Sequence, residues 1–262
     1  MPGTFWVVWA MSNSPLVTYT NLSPNCTHPR NGKIDTVTIH CIVAQWTVKQ
    51  GCDYFAKASA KSSANYVVGC DGSIGLCVDE GDRAWTSGGT LSVNGITGAM
   101  NDHRAVTIEV ASDTTSPYAV TPAAYEALIR LVADIAKRNG LGELKWKADK
   151  SLVGKPELQN MTVHRWFANK ACPGDYLFDR MGDIAAKANA ILQGSVEPEE
   201  GSEDTVSEPV VNNTPADWAK EAWDKAMADG VLDGTRPWDT ITRQEVAVIL
   251  DRCGLLEEGE EK

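Results

Sequence analysis

The chain has no apolar run near the length of about 20 residues that a membrane-spanning helix requires, so no membrane span is expected. Basic residues are scarce: 24 Lys and Arg stand against 35 Asp and Glu, a net charge of −11. Phosphate recognition draws on clustered Lys and Arg, so this balance argues against nucleic acid as a partner. The apolar start, Phe5 to Met11, is short and lacks both a basic leader and a small-residue cleavage site. No secretory signal is therefore expected, and Met11 is the expected natural start. The seven cysteines, at 26, 41, 52, 70, 77, 172 and 253, are odd in number and scattered, unlike a secreted disulfide framework. Reduced thiols in a protein made in a cytoplasm fit this usage. What is present is ordinary: 262 residues, 43% hydrophobic and 23% charged, enough for one good-sized globular domain and something smaller.

Local patterns place the elements. Ile34 to Val43 is β-branched and apolar, as a buried strand is, and Arg104 to Ala111 reads the same way. Thr47 to Ala60 has helical spacing, with Val48, Cys52, Phe55 and Ala56 on one side. Ala64 to Cys70 and Ile74 to Val78 flank Asp71-Gly72, a strong hairpin signal. A two-residue turn there would pair Cys70 with Ser73 and Cys77 with Tyr66, so Cys70 and Cys77 are not expected to bridge. The clearest helix runs from Pro122 to Asn139, capped by Thr121 and ended by Gly140, with Tyr125, Leu128, Leu131, Val132 and Ile135 on its apolar face. A further helix is expected over Tyr176 to Leu192. Strands interleaved with helices predict a mixed α/β domain, a central sheet flanked by helices.

The organisation expected is an N-terminal extension over 1–29, the α/β domain over 30–194, a linker over 195–213, a small helical module over 214–256 and an acidic tail over 257–262. The linker is acidic, carries Pro and Ser, and has no basic residue, so it cannot bury a core. The module reads as two short helices, 215–228 and 243–253, the first capped by Thr214 and the second by a Thr242/Glu245 capping box.

Four histidines exist, at 28, 40, 103 and 164. His40 sits within a buried-looking strand, where a histidine is usually a satisfied core residue. His164 precedes Cys172 by a spacing that is no local zinc-finger motif. Cys172 leads through Pro173-Gly174 into a helix, where exposed backbone N–H groups favour a thiolate. Two His and one Cys would leave a tetrahedral position open, the mark of a catalytic rather than a structural metal site.

The order TIHC at 38–41, SSANYVVGCDGSI at 62–74, AVTIEV at 105–110 and HRWFANKACPGD at 164–175 resembles the zinc N-acetylmuramoyl-L-alanine amidases. Their relatives include phage lysozyme-type amidases and animal peptidoglycan recognition proteins. The likeness covers roughly residues 30 to 192. It implies a Zn²⁺ held by His40, His164 and Cys172. It implies catalytic roles for Glu109 as general base, for Lys170, and for Tyr66 facing the metal's water. It places Trp85 in the substrate groove. Asn65 and Thr86 stand where many relatives have His, and Val106-Thr107 replaces a more usual Ile-Gly. The first two adjoin the expected cleft and bear on substrate preference. Cys41 follows His40 along a strand and should therefore face the core.

Asp217 to Arg252 resembles one S-layer-homology-type repeat, on Trp218, the Ala-rich helix, Gly230-Val231-Leu232-Asp233-Gly234 and Ile241-Thr242-Arg243 followed by Glu245. In that family such repeats bind cell-wall polysaccharide. A single copy buries little surface, so self-association or docking is also expected. Trp218 and Trp223 read as core or interface, and Trp238 could stack on sugar. Together the resemblances imply a peptidoglycan hydrolase that cleaves between N-acetylmuramic acid and the first L-alanine of the stem peptide. Its partners would be peptidoglycan and wall polysaccharide, with homo-oligomerisation through the module. A phage endolysin, made in the host cytoplasm and released by a holin, is the expectation. A bacterial autolysin or a non-catalytic peptidoglycan-binding protein are the alternatives.

Overall fold

The computed structural model describes residues 13–194 and 220–229. They fall into two units, Met1–Glu199 and Glu200–Lys262. In chain order the first unit contains β1 (Tyr19–Thr20), β2 (Cys26–Thr27), β3 (Thr36–Cys41), α1 (Val48–Phe55), β4 (Tyr66–Val68) and β5 (Ile74–Leu76). It continues with β6 (Arg83–Ala84), β7 (Ser92–Val93), β8 (Ile96–Thr97), α2 (Gly98–Asp102), β9 (Ala105–Val110), α3 (Pro122–Asn139), β10 (Met161–Val163) and α4 (Asp175–Leu192). In the second unit, α5 (Lys220–Ala228) falls within the first expected helix of the module. The linker, the second expected helix, Trp218, Trp238 and the tail lie outside the described residues.

The expected mixed α/β architecture is present. Six strands form one sheet in the order β1-β5-β4-β9-β3-β10, parallel except for the β4–β5 hairpin. Because successive strand residues face opposite sides, the register sorts the side chains into two layers. Val37 and Ile39 of β3, Val106, Ile108 and Val110 of β9, and Tyr66 and Val68 of β4 enter the main core against α3 and α4. Thr36, Thr38 and His40, with Thr107 and Glu109, face the other way, where Val67 packs with Val48, Cys52 and Phe55 of α1.

The helices end where their chemistry dictates. Thr47 and Gln50 form a capping box at α1, although this helix stops at Phe55 and a 3₁₀ turn at Ala58–Ala60 replaces its expected last turn. Thr121 accepts from the Ala124 amide at the start of α3, Pro122 occupies its first turn, and Gly140 closes it in the left-handed conformation. Ten residues of α3 are buried along its apolar face.

Two expectations are corrected here. The hairpin pairs Tyr66 with Leu76 and Val68 with Ile74, one residue off the two-residue turn, because Gly69 bonds Ser73 and leaves a three-residue loop. Gly72 supplies the positive φ that such a loop needs, and Asp71 accepts from the Ser73 amide. Cys77 meets Cys52 of α1 at 3.1 Å, and the described cysteines are all free. The segment 13–29, expected as an extension, is built into the domain: β1 pairs with β5, β2 with β6, and the Ser14 amide donates to the Tyr66 hydroxyl at 2.8 Å.

That hydroxyl belongs to a buried network. Tyr66 donates to Glu80 at 2.6 Å, and the fully buried Glu80 carboxylate also takes two Arg138 bonds, at 2.6 and 3.0 Å, and one from Asn139. Burial, then the Glu80 charge, raises the Tyr66 pKa, so the phenol stays protonated and donates. Tyr66→Phe would leave the Ser14 amide and one Glu80 lone pair unsatisfied. The expected loss is about 1–3 kcal/mol of unfolding free energy in urea titrations, with the folded protein's turnover unchanged.

Candidate metal centre

Two strands and one loop bring the candidate ligands together. His40 ends the site face of β3, His164 follows β10 on the same face, and Cys172 sits in the loop before α4. One donor atom from each lies within 4.8 Å of the others. The two imidazole centroids are 5.0 Å apart, and Cys172 Sγ is 3.5 Å from His40 Nδ1. Glu109, register partner of His40 on β9, brings its Oε1 to 4.0 Å from the same Nδ1.

The electrostatics are those of an incomplete cluster. Burial drives the His40 pKa well below its usual value, with the charges of His164 and Lys170 acting in the same direction. Burial also lowers that of His164. Both imidazoles are therefore neutral, the form that binds a metal. Burial raises the Cys172 thiol well above its ordinary range, so without a cation it stays protonated, contrary to the thiolate expected from its place before a helix. Burial pushes the Glu109 carboxyl up to about 8, the Cys41 sulfur adds to this, and the Lys170 ammonium opposes it. Glu109 Oε2 is buried and has no hydrogen-bond partner. Two neutral nitrogens, a thiol and an unsatisfied carboxyl oxygen fit a borderline-soft divalent ion such as zinc, with three ligands from the protein and one position left for substrate.

These groups open into a cleft of about 300 Å³ lined also by Lys170, Trp85, Thr86, Tyr118 and Val43. Lys170 is exposed at its rim. Trp85 is 37% exposed, and its ring is tied by Nε1 to Thr27. Thr86 borders the cleft, but its hydroxyl is turned inward to Ser63 and Thr107. Cys41 packs in the core face as expected, yet at the strand end it also lines the cleft, where its free thiol is in hydrogen-bonding reach of the Cys172 sulfur.

Two expected site residues are elsewhere. Tyr66 aligns with Ile108 rather than Glu109, so its side chain leaves the sheet on the core face, where Glu80 holds it. Asn65 is fully buried, its amide nitrogen directed at the carbonyls of Val78, Asp79 and Asp82 and its oxygen at Thr107, so nothing remains for a substrate. Missed by sequence reasoning were Ser87, Gly88 and Asp102. Ser87 Oγ lies 3.3 Å from His40 Nε2, the Gly88 carbonyl takes a bond from His164 Nε2 at 2.9 Å, and Asp102 Oδ2 accepts from the amides of Thr86 and Ser87. No local motif marks them. Tyr118 and Val43, both at positive φ beside the cleft, were equally silent.

A mixed sheet thus brings two His, one Cys and a Glu together in an arrangement that could hold a metal ion through three protein ligands. Residues 30–175, more than half of the chain, match the family described as N-acetylmuramoyl-L-alanine amidase, and the chain belongs to that family. No curated protein matches the chain. Similar solved structures include a mutant endolysin from Bacillus subtilis, at 16% identity over 66% of this chain and 99% of that one, with a TM-score of 0.46. Another is the Staphylococcus aureus hydrolase AmiA in complex with its ligand, at 19% identity over 69% of this chain and 85% of that one, with a TM-score of 0.49. A third is a selenomethionine AmpD derivative, at 21% identity over 64% of this chain and 93% of that one, with a TM-score of 0.47.

The raised Glu109 pKa has a consequence for stability. An unfolded Glu titrates near 4.5 and the folded one near 8, so folding takes up a proton between those values. Its contribution is present in full below pH 4.5 and is lost as pH rises through 8. In chelator-treated protein, Glu109→Gln is expected to be the more stable form at pH 9, with the advantage shrinking toward pH 5. Urea titrations at both pH values read this directly.

Proposed function

We propose that this chain is a zinc-dependent amidase that hydrolyses the bond between the lactyl group of N-acetylmuramic acid and L-alanine of the stem peptide. The convergence of the buried His40 with His164, Cys172 and Glu109, the last three lining one open cleft, carries the reading. His40, His164 and Cys172 would hold the zinc ion, which would supply Lewis acidity toward a water and the scissile carbonyl.

The chain's own groups do the rest. Glu109 takes a proton from the attacking water and later delivers it to the leaving alanine nitrogen as the C–N bond breaks. Its burial and unpaired oxygen suit a group that must alternately hold and release a proton. Lys170 at the rim places a positive charge where the carbonyl oxygen becomes an anion, a contribution typically worth about 3 kcal/mol. With Tyr66 on the other face of the sheet, this role rests on Lys170. Trp85 and Thr86 offer the sugar-peptide junction an aromatic surface beside a closed polar wall.

Lysis is the setting that fits such an activity, in a phage endolysin or a bacterial autolysin. Free cysteines suit synthesis in a reducing compartment, and among the described residues no helix is long and apolar enough to cross a membrane. The second unit is read as an S-layer-homology-like module that binds wall polysaccharide or joins two copies of the chain. Removing residues 195–262 is expected to weaken wall pull-down or to lower the number of subunits found by sedimentation. No change in either measurement refutes that reading.

The decisive assay follows new peptide N-termini and new reducing ends released from purified walls, with chelator and then with added zinc. N-terminal alanine without reducing ends, lost to chelator and restored by zinc, is expected. Zinc binding without release from walls of several types points instead to a peptidoglycan-binding protein. Cys172→Ala is expected to abolish zinc binding and turnover. Glu109→Gln is expected to retain zinc and lose about 10²-fold or more in kcat. Wild-type turnover in the latter removes Glu109 from the mechanism.

A further inference from the structure

Both histidines turn the same ring atom toward the same short turn. His164 Nε2 lies 2.9 Å from the Gly88 carbonyl, which can only accept, so Nε2 carries the proton and Nδ1 holds the lone pair. His40 Nε2 lies 3.3 Å from Ser87 Oγ, while its Nδ1 faces Cys172 and Glu109. The turn itself is fixed. The buried Asp102 carboxylate accepts from the amides of Thr86 and Ser87 at 3.0 and 2.8 Å, and the Thr86 hydroxyl is bound to Ser63 and Thr107. Backbones press on it from two sides: a Cβ at Gly98 would overlap the Ser87 carbonyl, and one at Gly89 the Phe167 carbonyl.

The geometry points to Thr86–Gly88, buttressed by Asp102, as the device that orients both metal-binding imidazoles through Nε2, the Gly88 carbonyl fixing the proton on His164 Nε2 and the Ser87 hydroxyl engaging His40 Nε2, with Nδ1 of each free for the ion. Ser87 and Asp102 are thus positioning residues, and the inference rests on the zinc reading above. Asp102 never approaches the ligands itself. Through one carboxylate oxygen it holds the consecutive amides of Thr86 and Ser87, which fix the residue that carries the Ser87 hydroxyl and the backbone leading into Gly88. An outer-sphere partner of this kind typically tunes metal affinity by 10- to 100-fold. One turn serving two ligands couples them: displacing it should disturb both rings, whereas trimming the Ser87 hydroxyl should disturb one.

The test uses the full chain. Histidine tautomers are read from long-range ¹⁵N–¹H correlations in chelator-treated protein, and zinc affinity from competition with a chromophoric chelator. Wild type is expected to show the Nε2–H form for His40 and His164 before any metal is added. Ser87→Ala is expected to mix the His40 tautomers, leave His164 unchanged and weaken zinc about 10-fold or more. Asp102→Ala should disturb both rings, and Asp102→Asn, which keeps an acceptor for the two amides, should restore most of the affinity. A loss of packing alone would lower the melting temperature of these variants without changing the tautomers in the folded protein. Wild-type tautomers and affinity in folded Ser87→Ala and Asp102→Ala overturn the inference. Tautomers that respond as expected in a wild-type chain that binds no zinc support the positioning role and refute the zinc reading instead.

Discussion

The parallel pairing of β3 with β9 in one register, His40 beside Glu109, is the constraint on which the rest of the domain depends. In that register Val37, Ile39, Val106, Ile108 and Val110 meet α3 and α4, and the alternate residues form a polar layer beneath the cleft. Thr38 bonds Thr162 across to β10 and accepts from Asn101, so the layer is tied laterally by hydroxyls and amides. A slip of one residue would bury Glu109 in the apolar core and expose the valines. Core packing and the placement of the candidate metal centre are therefore secured by the same set of main-chain bonds.

Burial sets the protonation of the candidate ligands. Two imidazoles are kept neutral, a thiol is kept protonated and a carboxyl oxygen is kept without a donor, all chiefly by burial. Burial favours these neutral forms, and a divalent cation would take the imidazole lone pairs and bind the sulfur with loss of its proton. By contrast, Glu80 has a saturated shell of Tyr66, Arg138 and Asn139. Glu80 and Glu109 thus have opposite fates: one is neutralised by fixed partners and serves the fold, the other keeps an oxygen without a donor beside the candidate ligands.

Much of this was legible in the order of residues. The helix Pro122–Asn139 was readable to the residue because cap, first-turn proline and terminal glycine all agreed. His40 and Glu109 carried a strand period and a family resemblance that led to the same cleft. The same period-two rule could have removed Tyr66, but only once its alignment with Ile108 was known, and strand register is a nonlocal property. Asn65 was misassigned because its role depends on three carbonyls 13 to 17 residues away. The hairpin slipped by one residue because Asp-Gly suits a three-residue loop as well as a two-residue one. Segment 13–29 has no periodicity to read: its strands are two residues long and take their form from partners 50 or more residues away.

That segment alters how the domain should be trimmed. The family match begins at residue 30, but β1 lies outside β5 and covers a strand whose three residues are all buried. Cutting at the family boundary would strip that cover and leave unpaired amides and carbonyls beside an apolar strand, a template for edge-to-edge association. The short N-terminal strand thus works as a guard on the sheet, and a shortened enzyme that precipitates would be reporting a bare edge rather than a defective active site.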